Sequence, residues 1–194
     1  MSGFIREKYN IPRDAKIILY IGNISENKNQ RQMIEAFPMM PRQVCEKTYV
    51  LFCGDLYNDP LGLKQMIKES VYPDHLILCG SIKKEHMQDY YKEGDAVVLL
   101  SFAEGFGLSL VEGMYFGLPC MMFSDIDAFA DIYNENAVVA LRERKNAIVA
   151  KGLYELLTKE WNHEFIKEYS KNFSSVKMAN NYIITYRSVH NKKE

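Results

Sequence analysis

The chain has 194 residues, enough for one domain with a substantial core, and its 47% hydrophobic and 25% charged residues are ordinary for a globular protein. A net charge of −1, with no basic patch along the sequence, argues against a nucleic-acid partner. No apolar run approaches the ~20 residues of a membrane span, and the opening Met1 to Arg6 lacks the apolar stretch of a signal peptide. Cys45, Cys53, Cys79 and Cys120 show no Cys-x-x-Cys spacing and, in the last three cases, sit in strand-like runs, so buried reduced thiols and a cytoplasmic location are expected. His75, His86, His163 and His190 are scattered singly, and no metal is expected.

Residues 1–15 are polar, with Pro12 and Asp14, and read as a lead-in helix or linker. Lys16 to Gly22 is a buried strand ending in glycine, followed by the loop Asn23 to Asn29. Asn29 to Met39 reads as a helix with Met33, Ile34 and Phe37 on one face, stopped near Pro38 and Pro41. Thr48 to Gly54 is a second strand, Asp55 to Asp59 a turn, Leu61 to Val71 a helix, and His75 to Gly80 a third strand. Lys84 to Glu93 is a helix with Met87, Tyr90 and Tyr91 inward. Ala96 to Leu100 is a strand, the residues from Leu108 to Tyr115 are apolar at helical spacing, and strands follow near 119–123 and 137–141. From about Arg144 to Lys193 the chain reads as helical, with a break near Phe173 to Ser175.

Unbroken apolar strands alternating with helices argue for a parallel sheet covered on both faces. The expected fold is α/β, a doubly wound Rossmann-like sheet of about six strands with helices on both faces, whose ligands bind at the carboxyl ends of the strands. Gly22, Gly54, Gly80 and Glu104 lie at or just beyond such ends, so their loops are expected to converge on one cleft.

The most informative stretch is Ser101 to Gly113, a strand-to-helix turn with Gly105 and Gly107 and an acid on each side, Glu104 and Glu112. A Gly-rich turn opening a helix aims backbone N–H groups and a helix dipole at one spot, which suits a phosphate. If the helix starts near Gly107, Glu112 lies ~7–8 Å along its axis, roughly the span from a diphosphate to a ribose. A carboxylate accepts from two vicinal hydroxyls, so Glu112 suits ribose and Glu104 a second sugar across the phosphate. The plainer alternative is that Glu104 caps the helix and Glu112 is solvated. Gly105 to Leu110 also approaches the dinucleotide fingerprint, with Asp125 about 20 residues on, but Leu110 stands where the third glycine belongs. Gly107-Leu-Ser109-Leu-Val111 lacks the final glycine of a nucleophile elbow.

Taken together, Glu104-Gly-Phe-Gly-Leu-Ser-Leu-Val-Glu112, the Gly113 to Pro119 segment after it, the Leu19 to Gln30 strand and loop, and Phe173 to Ala179 resemble the C-terminal, donor-binding domain of the retaining GT-B glycosyltransferases of family 4, the glycosyl transferases group 1. The resemblance covers nearly the whole chain in register. It implies that residues 16–194 form a nucleotide-sugar domain, without the N-terminal domain that carries the acceptor site. It implies further that Glu104 and Lys28 are catalytic, Lys28 neutralising the donor diphosphate and Glu104 contacting the transferred sugar. Gly22, Asn23 and the backbone of Gly105, Phe106, Gly107 and Leu108 would line the donor site, Ile82 would meet the base and Glu112 would hold the ribose. The implied substrate is a UDP-, GDP- or ADP-sugar, used without cofactor or metal, and the acceptor a glycan or lipid, with a peripheral membrane location open for the full-length protein.

Two departures stand out. Asn23 occupies the place of the family's arginine, for which Arg31 is a nearby substitute, and motivates the alternative of a non-catalytic nucleotide-sugar binding module. Ser124-Asp125-Ile-Asp127-Ala128 replaces a glycine pair near the donor, where Asp125 and Asp127 are expected to cap the next helix. The near-miss fingerprint leaves an NAD(P)-binding half of an oxidoreductase as a further alternative. The resemblance also implies a final helix, about Val176 to Val189, that crosses to the missing domain, with Tyr182, Ile183 and Tyr186 either exposed here or packed on this domain's own sheet.

Overall fold

The structure, a computed structural model, describes residues 3–57, 59, 61–174 and 177; apart from Lys177, the expected helix from Val176 to Val189 lies outside them. Six strands form one sheet: β1 (Lys16–Ile21), β2 (Thr48–Cys53), β3 (Leu76–Gly80), β4 (Ala96–Leu99), β5 (Cys120–Phe123) and β6 (Val138–Leu141). All are parallel, in the order β3-β2-β1-β4-β5-β6. This is the expected doubly wound α/β sheet. The strand order reverses between β1 and β4, and at such a switch point the loops leave the sheet in opposite directions and open a crevice.

The apolar runs account for the strands. Ile17, Ile18, Leu19 and Tyr20 of β1, and every residue of β4 and β5, are buried, as a sheet covered on both faces requires. On one face α2 (Gln30–Ala36) packs against α4 (Leu63–Glu69) and α8 (Asn146–Thr158). On the other, α6 (Leu108–Tyr115) packs against α9 (His163–Ser170), and α1 (Phe4–Lys8) against α5 (Lys84–Glu93). α6 lies close on β4: a Cβ on Gly113 would stand 2.4 Å from Val97 Cγ2. The lead-in is a helix integrated into this body. Ile5 is fully buried, and the Glu93 carboxylate accepts from the Ile5 and Arg6 backbone N–H groups at the start of α1.

Several element ends differ from the sequence expectation, each for a local reason. α2 stops at Ala36 and gives way to a 3₁₀ turn at Phe37–Met39, because Pro38 has no N–H to continue the helix. α4 starts only at Leu63, where the Asp59 carboxylate accepts from the Leu63 and Lys64 N–H groups. His75 belongs to a 3₁₀ turn, Pro73–His75, and its ring stacks on Tyr49 at 4.4 Å. A short helix, α3 (Arg42–Cys45), follows Pro41. The stretch after Arg144 is two helices, α8 and α9, separated where Asn162 Oδ1 accepts from Phe165 N–H and caps α9. A 3₁₀ turn at Lys171–Phe173 then ends in extended Ser174. Between β5 and β6 lies α7 (Ala128–Ile132), with Asp127 at its N-cap position and no side-chain cap bond. The expected capping by Asp125 and Asp127 is therefore not what these acids do.

Candidate functional site

The carboxyl edge of the sheet gathers the glycines that end the first three strands. Gly22 N–H donates to Cys53 O and Gly54 N–H to Gly80 O, both at 2.9 Å. A Cβ on Gly54 would fall 2.0 Å from Gly22 O. Gly22 itself has φ +152°, with the Lys28 side chain 3.4 Å from where its Cβ would be. Small residues here let the loop after β1 fold over the sheet edge and bring Lys28 back across it.

At the switch point that loop meets the turn after β4. Lys28 Nζ bonds Glu104 Oε1, which also accepts from Ser101 Oγ at 2.9 Å. The two side chains are 24% and 12% exposed, so sequence positions 76 apart form one half-buried pair. Glu104 does not cap α6, as the plainer sequence reading would have had it. Behind the pair stands Tyr20, fully buried, whose hydroxyl accepts from Leu100 N–H and donates to Lys28 O. Burial pushes the Tyr20 hydroxyl up from its ordinary range, so it stays a neutral donor.

The turn is shaped for an anion. Gly107 has φ +72°, the left-handed conformation that favours glycine, and sits at the N-cap of α6, where it makes no side-chain cap bond. The first N–H groups of a helix have no intrahelical partner and point along the positive end of the dipole. Gly105 and Leu108 are exposed beside them, and Phe106 packs edge-on against Phe173 at 5.9 Å.

Glu112 lies one turn further into α6, over a cleft of about 460 Å³. Ile82, Met87, Tyr91, Tyr115 and Phe116 line its apolar side, and Lys84, Gln88 and Glu112 its polar side. Tyr91 donates its hydroxyl to Glu112 Oε2 at 2.7 Å, and its ring stacks on Phe116 at 5.4 Å. Burial, reinforced by the adjacent Glu112, raises the Tyr91 hydroxyl above its ordinary range. The structure thus places the sequence-named residues in two groups: Gly22, Lys28 and Glu104 at the switch point, and Ile82 and Glu112 over the cleft. Asn23 is exposed, and its carbonyl accepts from Gln30 Nε2 at 3.0 Å.

Arg31 does not take the place left by Asn23: it pairs with Glu35 along α2 and is 61% exposed. Besides Lys28, Arg144, beyond β6, reaches the turn. Its guanidinium grips both oxygens of Asp125, at 2.8 and 3.0 Å, and donates to Ser101 O at 3.0 Å. It lies over the Phe102 and Phe123 rings at 4.7 and 4.1 Å. With both carboxylate oxygens so engaged, Asp125 is not poised as the ribose acid of a dinucleotide site. Sequence reading missed Tyr20, Ser101, Tyr91 and Arg144, because nothing in their local patterns separates them from core or loop residues.

Among the described residues no group of three or more His, Cys, Asp or Glu side chains is placed to hold a metal ion, and no helix is long and apolar enough to cross a membrane. All four cysteines are free, Cys45, Cys53 and Cys120 being buried and Cys79 half-buried.

Comparison with known proteins fits this geometry. The chain is 27% identical over 117 residues to the N-acetyl-alpha-D-glucosaminyl L-malate synthase of Bacillus anthracis, a match covering 60% of the chain and 29% of that protein. Its fold matches a glycosyltransferase from Rickettsia africae with a TM-score of 0.79 at 19% identity, over 95% of this chain and 50% of that one. It also matches Anabaena HepE, solved with UDP and glucose, with a TM-score of 0.77 at 16% identity, over 95% of this chain and 51% of that one. The chain therefore spans under a third of that curated relative and about half of each solved protein. The profile of the family described as glycosyl transferases group 1 matches residues 2–173. The chain belongs to that family.

Proposed function

We propose that this chain is the donor-binding, C-terminal domain of a family 4 GT-B enzyme that transfers a hexose from a nucleoside-diphosphate sugar to a glycan or lipid with retained anomeric configuration. The observation that carries the reading is the Lys28–Glu104 pair at the β1/β4 switch point, beside the uncapped start of α6. Charge develops on the leaving diphosphate as the sugar departs. A lysine and a helix N-terminus fixed beforehand around that diphosphate stabilise the charge without a metal. A donor would draw Lys28 onto its phosphates and free Glu104 for the transferred sugar, while Glu112 and the cleft by Ile82 receive the nucleoside. That HepE was solved with UDP and glucose supports a nucleoside diphosphate and a hexose as the parts of the donor.

In this reading residues 16–194 are the donor domain, a separate N-terminal domain supplies the acceptor site, and the chain alone binds donor without turning it over. The enzyme works in the cytoplasm, at the membrane surface when its acceptor is a lipid, and builds polysaccharide or glycolipid.

Calorimetric titration with UDP, GDP and ADP tests the proposal. One of the three binds, and Lys28→Ala weakens that nucleotide by about tenfold or more, the worth of a charge-assisted hydrogen bond. Glu112→Ala weakens the ribonucleotide more than its 2′-deoxy analogue. A folded sample that binds none of the three overturns the reading.

A further inference from the structure

Lys28 and Glu104 stand on separate loops, and besides the Tyr20 bridge and the bond from Asn29 Nδ2 to Leu100 O at 3.3 Å, the loops are joined at the residue before each. Phe102 N–H donates to Asn27 O at 2.8 Å. Ala103 N–H donates to Asn27 Oδ1 at 3.0 Å, and Asn27 Nδ2 donates back to Ala103 O at 3.0 Å. β1 and β4 pair only at Ile18–Ala96 and Leu19–Val97. The three bonds therefore carry the pairing of the two chains beyond the end of the sheet. Asn27 is exposed, so the core does not need it. A carboxamide both donates and accepts, and the two-way bond to Ala103 uses both capacities; a carboxylate can only accept.

We propose that Asn27 is a positioning residue for donor binding. It buttons the loop after β1 onto the turn after β4 and so holds the Lys28 ammonium at the diphosphate. The assignment rests on the donor reading above. Asn27 touches no part of the donor; it acts through Lys28. A lysine on an unbuttoned loop keeps its charge but samples many positions, and the electrostatic gain of a fixed donor is lost.

The experiment compares wild type, Asn27→Ala and Asn27→Asp by melting temperature and by titration with UDP, GDP, ADP and the corresponding nucleosides. Both variants keep the wild-type melting temperature within about two degrees, as expected of an exposed site. Both bind the nucleoside as wild type does and the diphosphate about tenfold more weakly, as expected when a charge-assisted bond is lost. In a Lys28→Ala background the substitution at 27 has no further effect, because the group it positions is gone. Three results overturn the assignment: unchanged diphosphate affinity, an equal loss for nucleoside and diphosphate, or an undiminished effect without Lys28. Wild type that binds none of the nucleotides overturns the donor reading itself, and the assignment with it.

Discussion

Tyr20 shows how much of the site is built from residues that never face it. Its hydroxyl is the only polar part of a fully buried side chain, and it ties Leu100 of one loop to Lys28 of the other. Tyr20→Phe keeps the ring but leaves the Leu100 N–H without that acceptor in the interior. The expected cost is about 1–3 kcal/mol, read as a shift of the urea midpoint, together with weaker nucleoside-diphosphate binding through the loosened Lys28 loop. Glu104 and Glu112 stood out as candidates in the sequence because two acids flanking a Gly-rich turn are a local signal, and Lys28 did so through the family resemblance of its loop. Tyr20, Asn27, Ser101 and Arg144 were not. Their bonds join positions far apart in the chain, 80 residues in the case of Leu100 and Tyr20, and in the sequence Tyr20 is one more bulky residue in an apolar strand.

At the scale of the element, α6 is the piece that must be in place for the site to exist. Its bounds, Leu108–Tyr115, are those that helical spacing predicts. What spacing does not convey is the closeness of its approach to β4, which depends on Gly113 having no side chain. A Cβ there would meet Val97 at 2.4 Å and Tyr91, the residue that holds Glu112, at 3.8 Å. Gly113→Ala should therefore push α6 outward, destabilise the fold by about 1–3 kcal/mol and weaken ribonucleotide binding. Val97→Ala in the same chain makes room and should restore part of both, as paired melting and titration curves would show. The ends of the other helices were less legible for the same kind of reason. The start of α4 is set by the Asp59 carboxylate and that of α9 by Asn162, polar residues indistinguishable in sequence from ordinary loop residues.

For the whole molecule, the fold class was readable because strands buried on both faces have to be apolar, which is what β4, β5 and β1 after Lys16 are. The order in which they pair was not, since it depends on crossovers that leave no mark in composition. The same burial sets the response to alkali. Tyr20 and Tyr91 are raised from 10.0 and Cys120 from 9.0, in each case chiefly by burial. Each group holds its proton more tightly folded than unfolded. The stability this represents is whole below the unfolded values and is lost as pH rises through and beyond them. Urea midpoints should accordingly be level near neutrality, begin to fall near about pH 9 as the cysteine enters and fall more steeply above about pH 10, with a shallower fall in Tyr20→Phe.

The β1/β4 seam also has a consequence for how the chain comes together. β4 follows β2 and β3 in the chain yet lies beside β1 in the sheet, and the charge pair joins residues 76 apart. In the donor reading proposed above, neither the segment through β3 nor the segment from β4 onward would hold a diphosphate by itself. In that reading, nucleotide binding would report a fold in which both halves are in place. A ligand so bound would span the seam and tie the first half of the chain to the second. It would act as a clasp on the native state alone, stabilising it by mass action without hastening its formation.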